Sequence, residues 1–278
     1  MQAVAPALYN GRISPEQSAG RRVTSSFRAE WLSAQRDAGF TLCLTLGALI
    51  VARFSRMTVL NTLYEDGMVP LFHQADAGIA IRIAGALAEG GSRLLEFTNR
   101  GDFAIEVFSA LVKQAATSAP DLIIGAGSIE DAPTAALFLA HGANFIVGPT
   151  FNEEIARLCN RRKVPYLPGC GSVNEIARAE EWGVEVVKLF PGSSAGGPAF
   201  VRDIRGPRPW TSIMPTGGVT PDADNLREWF SAGVVAVGIG SRLIRSDWIK
   251  AGDFAAITRL TRSTLDTIRE LREHGKGA

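Results

Sequence analysis

Short apolar runs alternate along this chain with longer segments in which apolar residues recur every three or four positions. From residue 53 onward eight such runs stand out, at 68–72, 93–97, 122–126, 144–148, 164–167, 184–190, 212–215 and 234–238. Between them, the spacing over 75–89, 105–116, 131–141, 153–162, 173–182 and 223–232 predicts amphipathic helices. A last helix is predicted over 254–274, with Leu260, Leu265, Ile268 and Leu271 as its core-facing stripe. Strand and helix alternating eight times predicts an α/β chain folded as a (β/α)8 TIM barrel, with a doubly wound open sheet as the alternative. Helix punctuation agrees. Asn152 before Glu153 and Glu154 supplies a cap and two carboxylates where the helix dipole favours them. Pro221-Asp222 opens the candidate at 223–232 in the same way, and Gly90-Gly91, Gly142, Gly183 and Gly233 follow helical segments where a left-handed cap is wanted.

One run carries a charge in an unusual place. Within 184–190, alternation puts Val184, Val186 and Lys188 on one face, with Val187 and Leu189 on the other. A lysine in a strand usually lies on a solvated edge. Here apolar residues fill both faces, as in parallel strands covered by helices. A lysine so enclosed tends to lose its proton, and a neutral amine can attack a carbonyl to form a Schiff base. Lys188 is therefore the candidate nucleophile.

In barrels of this kind the chemistry gathers at the C-terminal ends of strands. The second run ends Glu96-Phe97-Thr98-Asn99-Arg100, and Glu96 shares its face with the apolar Leu94. A carboxylate facing an apolar interior is pushed toward its neutral form, which suits it to exchange protons near neutrality. Arg100 could grip a carboxylate through two parallel hydrogen bonds, although a Glu–Arg pair on a loop is more often a structural ion pair. The seventh and eighth runs are followed by Gly217-Gly218 and by Gly240-Ser241, the two loops that commonly hold phosphate in this fold. Either pair alone would serve as a tight turn; both together in these two places point to a phosphorylated ligand. Ser128 and Ser172 are hydroxyl donors or loop caps, and sequence does not separate the two. Pro149 and Phe190, which follow the fourth run and close the sixth, complete the candidate substrate-binding set.

Composition sets bounds on these readings. The 278 residues are 46% apolar and 21% charged with net charge +1, ordinary for a soluble chain with a sizeable core and without the basic bias of a nucleic-acid or membrane-surface binder. Cys43, Cys159 and Cys170 are odd in number and show no C-x-x-C spacing, as expected of reduced thiols in a cytoplasm. His73, His141 and His274 lie far apart, so no protein-built metal site is expected. Gly125-Ala126-Gly127-Ser128 begins like a dinucleotide loop, but Glu130 occupies the third glycine position, which argues against a nicotinamide cofactor. No cofactor of any kind is expected. Residues 1–52 do not continue the alternation. Their apolar stretch 40–51 is shorter than the about 17–25 residues of a membrane span, and no convincing small-residue cleavage site follows it. The expected organisation is an N-terminal extension over 1–52 and one barrel domain over 53–278. The extension is loosely packed, or its assigned start lies upstream of a true one at Val51 or Met57.

These motifs together resemble the 2-keto-3-deoxy-6-phosphogluconate (KDPG) and 4-hydroxy-2-oxoglutarate (KHG) aldolases. The likeness runs from about Val59 to the last helix. It rests on 96–100, 125–128, Pro165-Tyr166-Leu167-Pro168-Gly169, Val187-Lys188-Leu189-Phe190-Pro191 and Pro215-Thr216-Gly217-Gly218-Val219. It implies a trimeric, metal-free class I aldolase, with Lys188 as Schiff-base lysine and Glu96 as acid/base. It further implies that Arg100 binds the carboxylate, and that Gly217, Gly218, Gly240 and Ser241 form the phosphate site. Ser128 and Ser172 fall where the family commonly has threonine, Asn99 where leucine is common, and Gly192 where alanine often follows the proline. These departures leave the chemistry standing and the substrate open. KHG or a related 2-keto-3-deoxy sugar acid, another phosphate-binding isomerase or synthase, and a non-catalytic phosphate-binding barrel are the alternatives.

Overall fold

A computed structural model of the chain describes residues 52–275. The expected extension lies outside them, apart from its last residue. The first described helix, α1 (Arg56–Asp66), precedes β1 (Met68–Phe72). The chain continues α2 (Ala77–Glu89), β2 (Leu94–Thr98), α3 (Ala104–Ser118), β3 (Ile123–Gly127), α4 (Ala132–Ala140), β4 (Ile146–Val147) and α5 (Glu153–Arg162). Then come β5 (Tyr166–Leu167), β6 (Gly169–Cys170), α6 (Val173–Glu181), β7 (Val187–Leu189), α7 (Gly197–Arg205), β8 (Ile213–Pro215), α8 (Ala223–Ser231), β9 (Val237–Ile239), α9 (Ser246–Ala251) and α10 (Phe254–Gly275).

All strand pairings are parallel. One sheet runs β5-β4-β3-β2-β1-β9 and the other β6-β7-β8, giving a curled α/β sheet of the TIM-barrel kind. The sheets meet at two places. Pro168 separates β5 from β6, and having no N–H it cannot donate to the ladder, yet its carbonyl accepts from the Lys188 N–H at 2.9 Å. At the other junction Thr216 bridges Gly238 in parallel.

Two apolar layers flank this sheet. The inner cluster gathers Val69, Leu94, Ile123, Phe145, Val147, Leu167, Val186, Met214 and Ala236, plugged from the strands' N-terminal side by Val59, Leu60 and Leu63 of α1. The outer cluster lies between strands and helices. Phe97 is held there edge-on to Phe72 at 5.7 Å, and its ring lies 6.0 Å from Phe108. Pinning Phe97 outward turns its neighbours Glu96 and Thr98 inward, because a one-residue slip would exchange every face.

The apolar runs reach further than the hydrogen-bonded strands. In the run 184–190 only Val187–Leu189 is strand, and Val184 packs into the outer cluster, so it does not share Lys188's face. Val186 does. Burial and pairing are separate constraints, and an apolar run reports only the first. Three helices carry no forecast. Of these α1 is capped by Ser55, which accepts from Thr58 N–H, and ends at Gly67 in the left-handed region. The expected caps at Asn152 and Asp222 form, and Gly91, Gly142, Gly183 and Gly233 adopt positive φ whereas Gly90 stays right-handed.

At Gly169 an added Cβ would lie 1.9 Å from the Pro149 carbonyl oxygen, a backbone atom that cannot swing away. Gly169→Ala should lower unfolding stability by about 1–3 kcal/mol. The exposed helical Gly85 has nothing within 4 Å, so Gly85→Ala should raise it by about 0.5–1 kcal/mol. Denaturant melts of both variants check the pair; equal shifts would mean that the Gly169 contact is not a constraint.

Candidate functional site

Glu96 comes from β2 in one sheet and Lys188 from β7 in the other, and the two side chains meet on the inner face of the curled sheets. Glu96 is paired in register with Leu71 on one side and Gly125 on the other, and Lys188 with Gly169 and Met214. Lys188 Nζ stands 3.8 Å from Glu96 Oε1, with the side chains 7% and 1% exposed. Neither carboxylate oxygen has a hydrogen-bond partner among the described residues. Such a group is costly to bury, and one with spare acceptor capacity beside an amine is a functional feature rather than a packing one. Lys188 Nζ also lies 5.1 Å from the centroid of Phe190, whose ring face attracts a cation.

The room for this pair comes from missing side chains. Gly127 is the clearest case: an added Cβ would fall 1.8 Å from Glu96 Oε1. At Gly125 it would strike the Phe145 ring at 2.3 Å, and at Gly238 the Thr216 hydroxyl at 2.2 Å. Both residues of the Gly-x-Gly that mimics a dinucleotide loop are thus required by packing inside the strands.

Above the pair opens a pocket of about 1160 Å³, lined by Thr98, Arg100, Phe190, Thr216, Gly217 and Gly218 and by the turn Gly240-Ser241-Arg242. Glu96 and Lys188 lie below its lining. Thr98, two residues beyond Glu96, and Phe190, two beyond Lys188, carry the same faces up into it. Of the expected substrate-binding residues, Arg100, Phe190, Gly217, Gly218, Gly240 and Ser241 line the pocket. Three do not. Ser172 caps α6, accepting from Glu175 N–H and donating to its carboxylate, which makes it a loop cap. Ser128 sits at φ +58° and receives the Arg100 Nε–H at 3.4 Å, so it bears on the arginine. Pro149 is half-buried with its carbonyl against Gly169.

Arg100 has no carboxylate partner among the described residues, and the cation beside Glu96 is Lys188, so the feared Glu–Arg ion pair is not formed. His73, Arg242 and Lys250 also line the pocket, and among the described residues no aspartate or glutamate does. These three went unnoticed in the sequence; His73 was within reach, since it directly follows a run that matches β1 residue for residue. Cys159 and Cys170 are buried, and burial pushes both thiols up to about 12, which leaves them unreactive near neutrality. Among the described residues no His, Cys, Asp or Glu cluster could hold a metal ion, and no helix is long and apolar enough to cross a membrane.

The family model for KDPG and KHG aldolase matches residues 59–260. The chain belongs to that family. Its members are carbon–carbon lyases, and so is this protein. It is 34% identical over 214 residues to 2-dehydro-3-deoxy-phosphogluconate aldolase of Treponema pallidum, covering 76% of this chain and 98% of that protein. It is 36% identical over 193 residues to the enzyme of that name from Pseudomonas aeruginosa, covering 69% and 84%. A solved KDPG aldolase from Legionella pneumophila, with pyruvate captured as a covalent carbinolamine, superposes with TM-score 0.67 at 28% identity, covering 73% of this chain and 96% of that one.

In this aldolase the Gly127 contact predicts a variant that damages chemistry more than folding. Gly127→Ala should displace the Glu96 carboxylate and lower aldol cleavage by roughly 100-fold, the scale of an ångström-sized misplacement. A coupled lactate dehydrogenase assay alongside a thermal melt checks this; near-normal turnover would show that the carboxylate position is not critical.

Proposed function

We propose that this protein is a class I aldolase that cleaves KDPG reversibly to pyruvate and glyceraldehyde 3-phosphate, with Lys188 and Glu96 as its reacting groups. The observation that carries the reading is the buried approach of Lys188 Nζ to Glu96 Oε1 at 3.8 Å beneath a pocket lined by the cations Arg100, Arg242 and Lys250. We read β5 and β6 as one stave, which makes the two sheets an eight-stave barrel over 53–278. The homotrimeric assembly and cytoplasmic location implied by the family belong to the same reading.

In this reaction the neutral Lys188 amine attacks the C2 ketone, and the carbinolamine loses water to give a protonated imine. Glu96 removes the C4 hydroxyl proton. The C3–C4 electron pair then moves into the imine, releasing the aldehyde and leaving an enamine. Protonation of the enamine at C3 and hydrolysis of the imine return pyruvate and the free lysine. Arg100, unpaired with any described carboxylate, receives the substrate carboxylate in a two-bond grip. The loops after β8 and β9 receive the phosphate, so the scissile bond is held between two anchored ends.

Borohydride with pyruvate should attach a reduced adduct to Lys188, located by peptide mass mapping. In Glu96→Gln the adduct should persist, while cleavage and deuterium exchange at the pyruvate methyl fall by about 100- to 10,000-fold. An adduct on another lysine overturns the nucleophile, and normal exchange in Glu96→Gln overturns the acid/base.

The phosphate end needs a variant that fills the pocket without breaking the loop. Gly218 is unsuitable, since it has φ +79° and an added Cβ would sit 1.5 Å from Ser193 Oγ. Gly240 lacks that strain, and the three atoms nearest to an added Cβ all belong to Leu71, at 3.4–3.6 Å. Gly240→Val should cut kcat/KM for KDPG by about 10- to 100-fold, the worth of one lost hydrogen bond to a charged group, and affect KHG much less. Equal losses on the two substrates would remove the phosphate from this loop.

A further inference from the structure

Three titratable side chains line the pocket that the proposed reaction does not use, His73, Arg242 and Lys250, and of these only His73 can accept a hydrogen bond. His73 follows β1, lines the pocket, and is exposed. Its place in the ring matters. β1 is hydrogen-bonded to β9 on one side and to β2 on the other. The loop after β9 carries Gly240 and Ser241, and the loop after β2 carries Arg100. A ligand stretched from Arg100 to the glycine turn of β9 therefore crosses the end of β1, where His73 stands.

The orientation of the ring is constrained too. His73 Nδ1 lies 3.3 Å from the carbonyl oxygen of Thr98, and the ring centroid is 6.3 Å from that of Phe97. A carbonyl oxygen only accepts, so Nδ1 carries the proton, and in the neutral imidazole Nε2 is left as an acceptor. Thr98 is itself held by its hydroxyl, which donates to the Phe72 carbonyl at 3.1 Å. The tie thus connects the imidazole to the strand that bears Glu96.

We infer that His73 is a specificity residue: its Nε2 accepts a hydrogen bond from the hydroxyl next to the aldehyde carbon of the acceptor substrate, midway between the two anchored anions. The inference rests on the aldolase reading above. It predicts that this enzyme selects 2-hydroxyaldehyde phosphates over their 2-deoxy counterparts. A site built around one hydroxyl discriminates because the analogue without it leaves a polar group unpaired.

The test runs in the aldol direction, with pyruvate and either D-glyceraldehyde 3-phosphate or 3-oxopropyl phosphate, which lacks the hydroxyl. The intact enzyme should prefer the hydroxylated aldehyde by roughly tenfold in kcat/KM, the worth of one hydrogen bond. In His73→Ala the preference should collapse toward unity through loss on the hydroxylated aldehyde alone, and His73→Gln, which offers an amide oxygen as acceptor, should restore part of it. Deuterium exchange at the pyruvate methyl, which needs no aldehyde, is followed in each protein. An unchanged preference in an exchanging His73→Ala overturns the role of His73, as does a loss of exchange in that variant. Absence of exchange in the intact enzyme overturns the aldolase reading and this inference with it.

Discussion

Much of this structure follows from holding a carboxylate and an amine 3.8 Å apart where water hardly reaches. Taking each charge out of water costs several kcal/mol, and the attraction between them repays this only with good geometry and further hydrogen bonds. Here the carboxylate has none of the latter among the described residues. The arrangement is therefore a poor device for stability. Removing one partner of a buried pair generally costs about 3–5 kcal/mol, because the survivor is left charged and alone. The interior bears this strain because the rest of it is firmly packed: Val59, Leu60 and Leu63 plug the lower end, and apolar side chains fill the level below the pair.

Space at the level of the pair is obtained by subtraction. Inward positions that a barrel ordinarily fills with branched side chains are glycine at 125, 127, 169 and 238, and at each an added Cβ would collide with a neighbour. The outer layer makes this affordable in structural terms. Phe72, Phe97, Phe108 and Phe138 form a continuous row of ring contacts on the far side of the strands, so the register survives where the inner face has little to pack.

Much of this was legible in the sequence. Strand parity put Glu96 with Leu94 and Lys188 with Val184 and Val186; Leu94 and Val186 do face inward, and Val184 does not. The family likeness holds over 59–260. The β1 run and helix α5 were bounded correctly to the residue. What escaped has a common cause. Periodicity reports burial, so it overran the short ladders at β4 and β7 and passed over α1, α7 and α9, of which α9 buries no residue. It also says nothing of what an exposed loop residue touches. Ser172 turned out to cap a helix and Ser128 to hold an arginine, whereas His73, Arg242 and Lys250 entered the pocket without any local signature.

Depth separates two tasks in this site. The proposed reacting groups lie within the strands, where neighbours on both sides fix their positions to within the tolerance that proton and carbon transfer require. The groups proposed to recognise the ends and the middle of the substrate stand on loops beyond the strands, exposed or half-exposed, where a substitution moves few neighbours. Changes at 73, 240 or 241 can then alter which keto acid is held without disturbing the amine and carboxylate beneath. A family whose members carry both KDPG and KHG aldolase names is the pattern such a division produces: one chemistry, with the choice of aldehyde left to the rim.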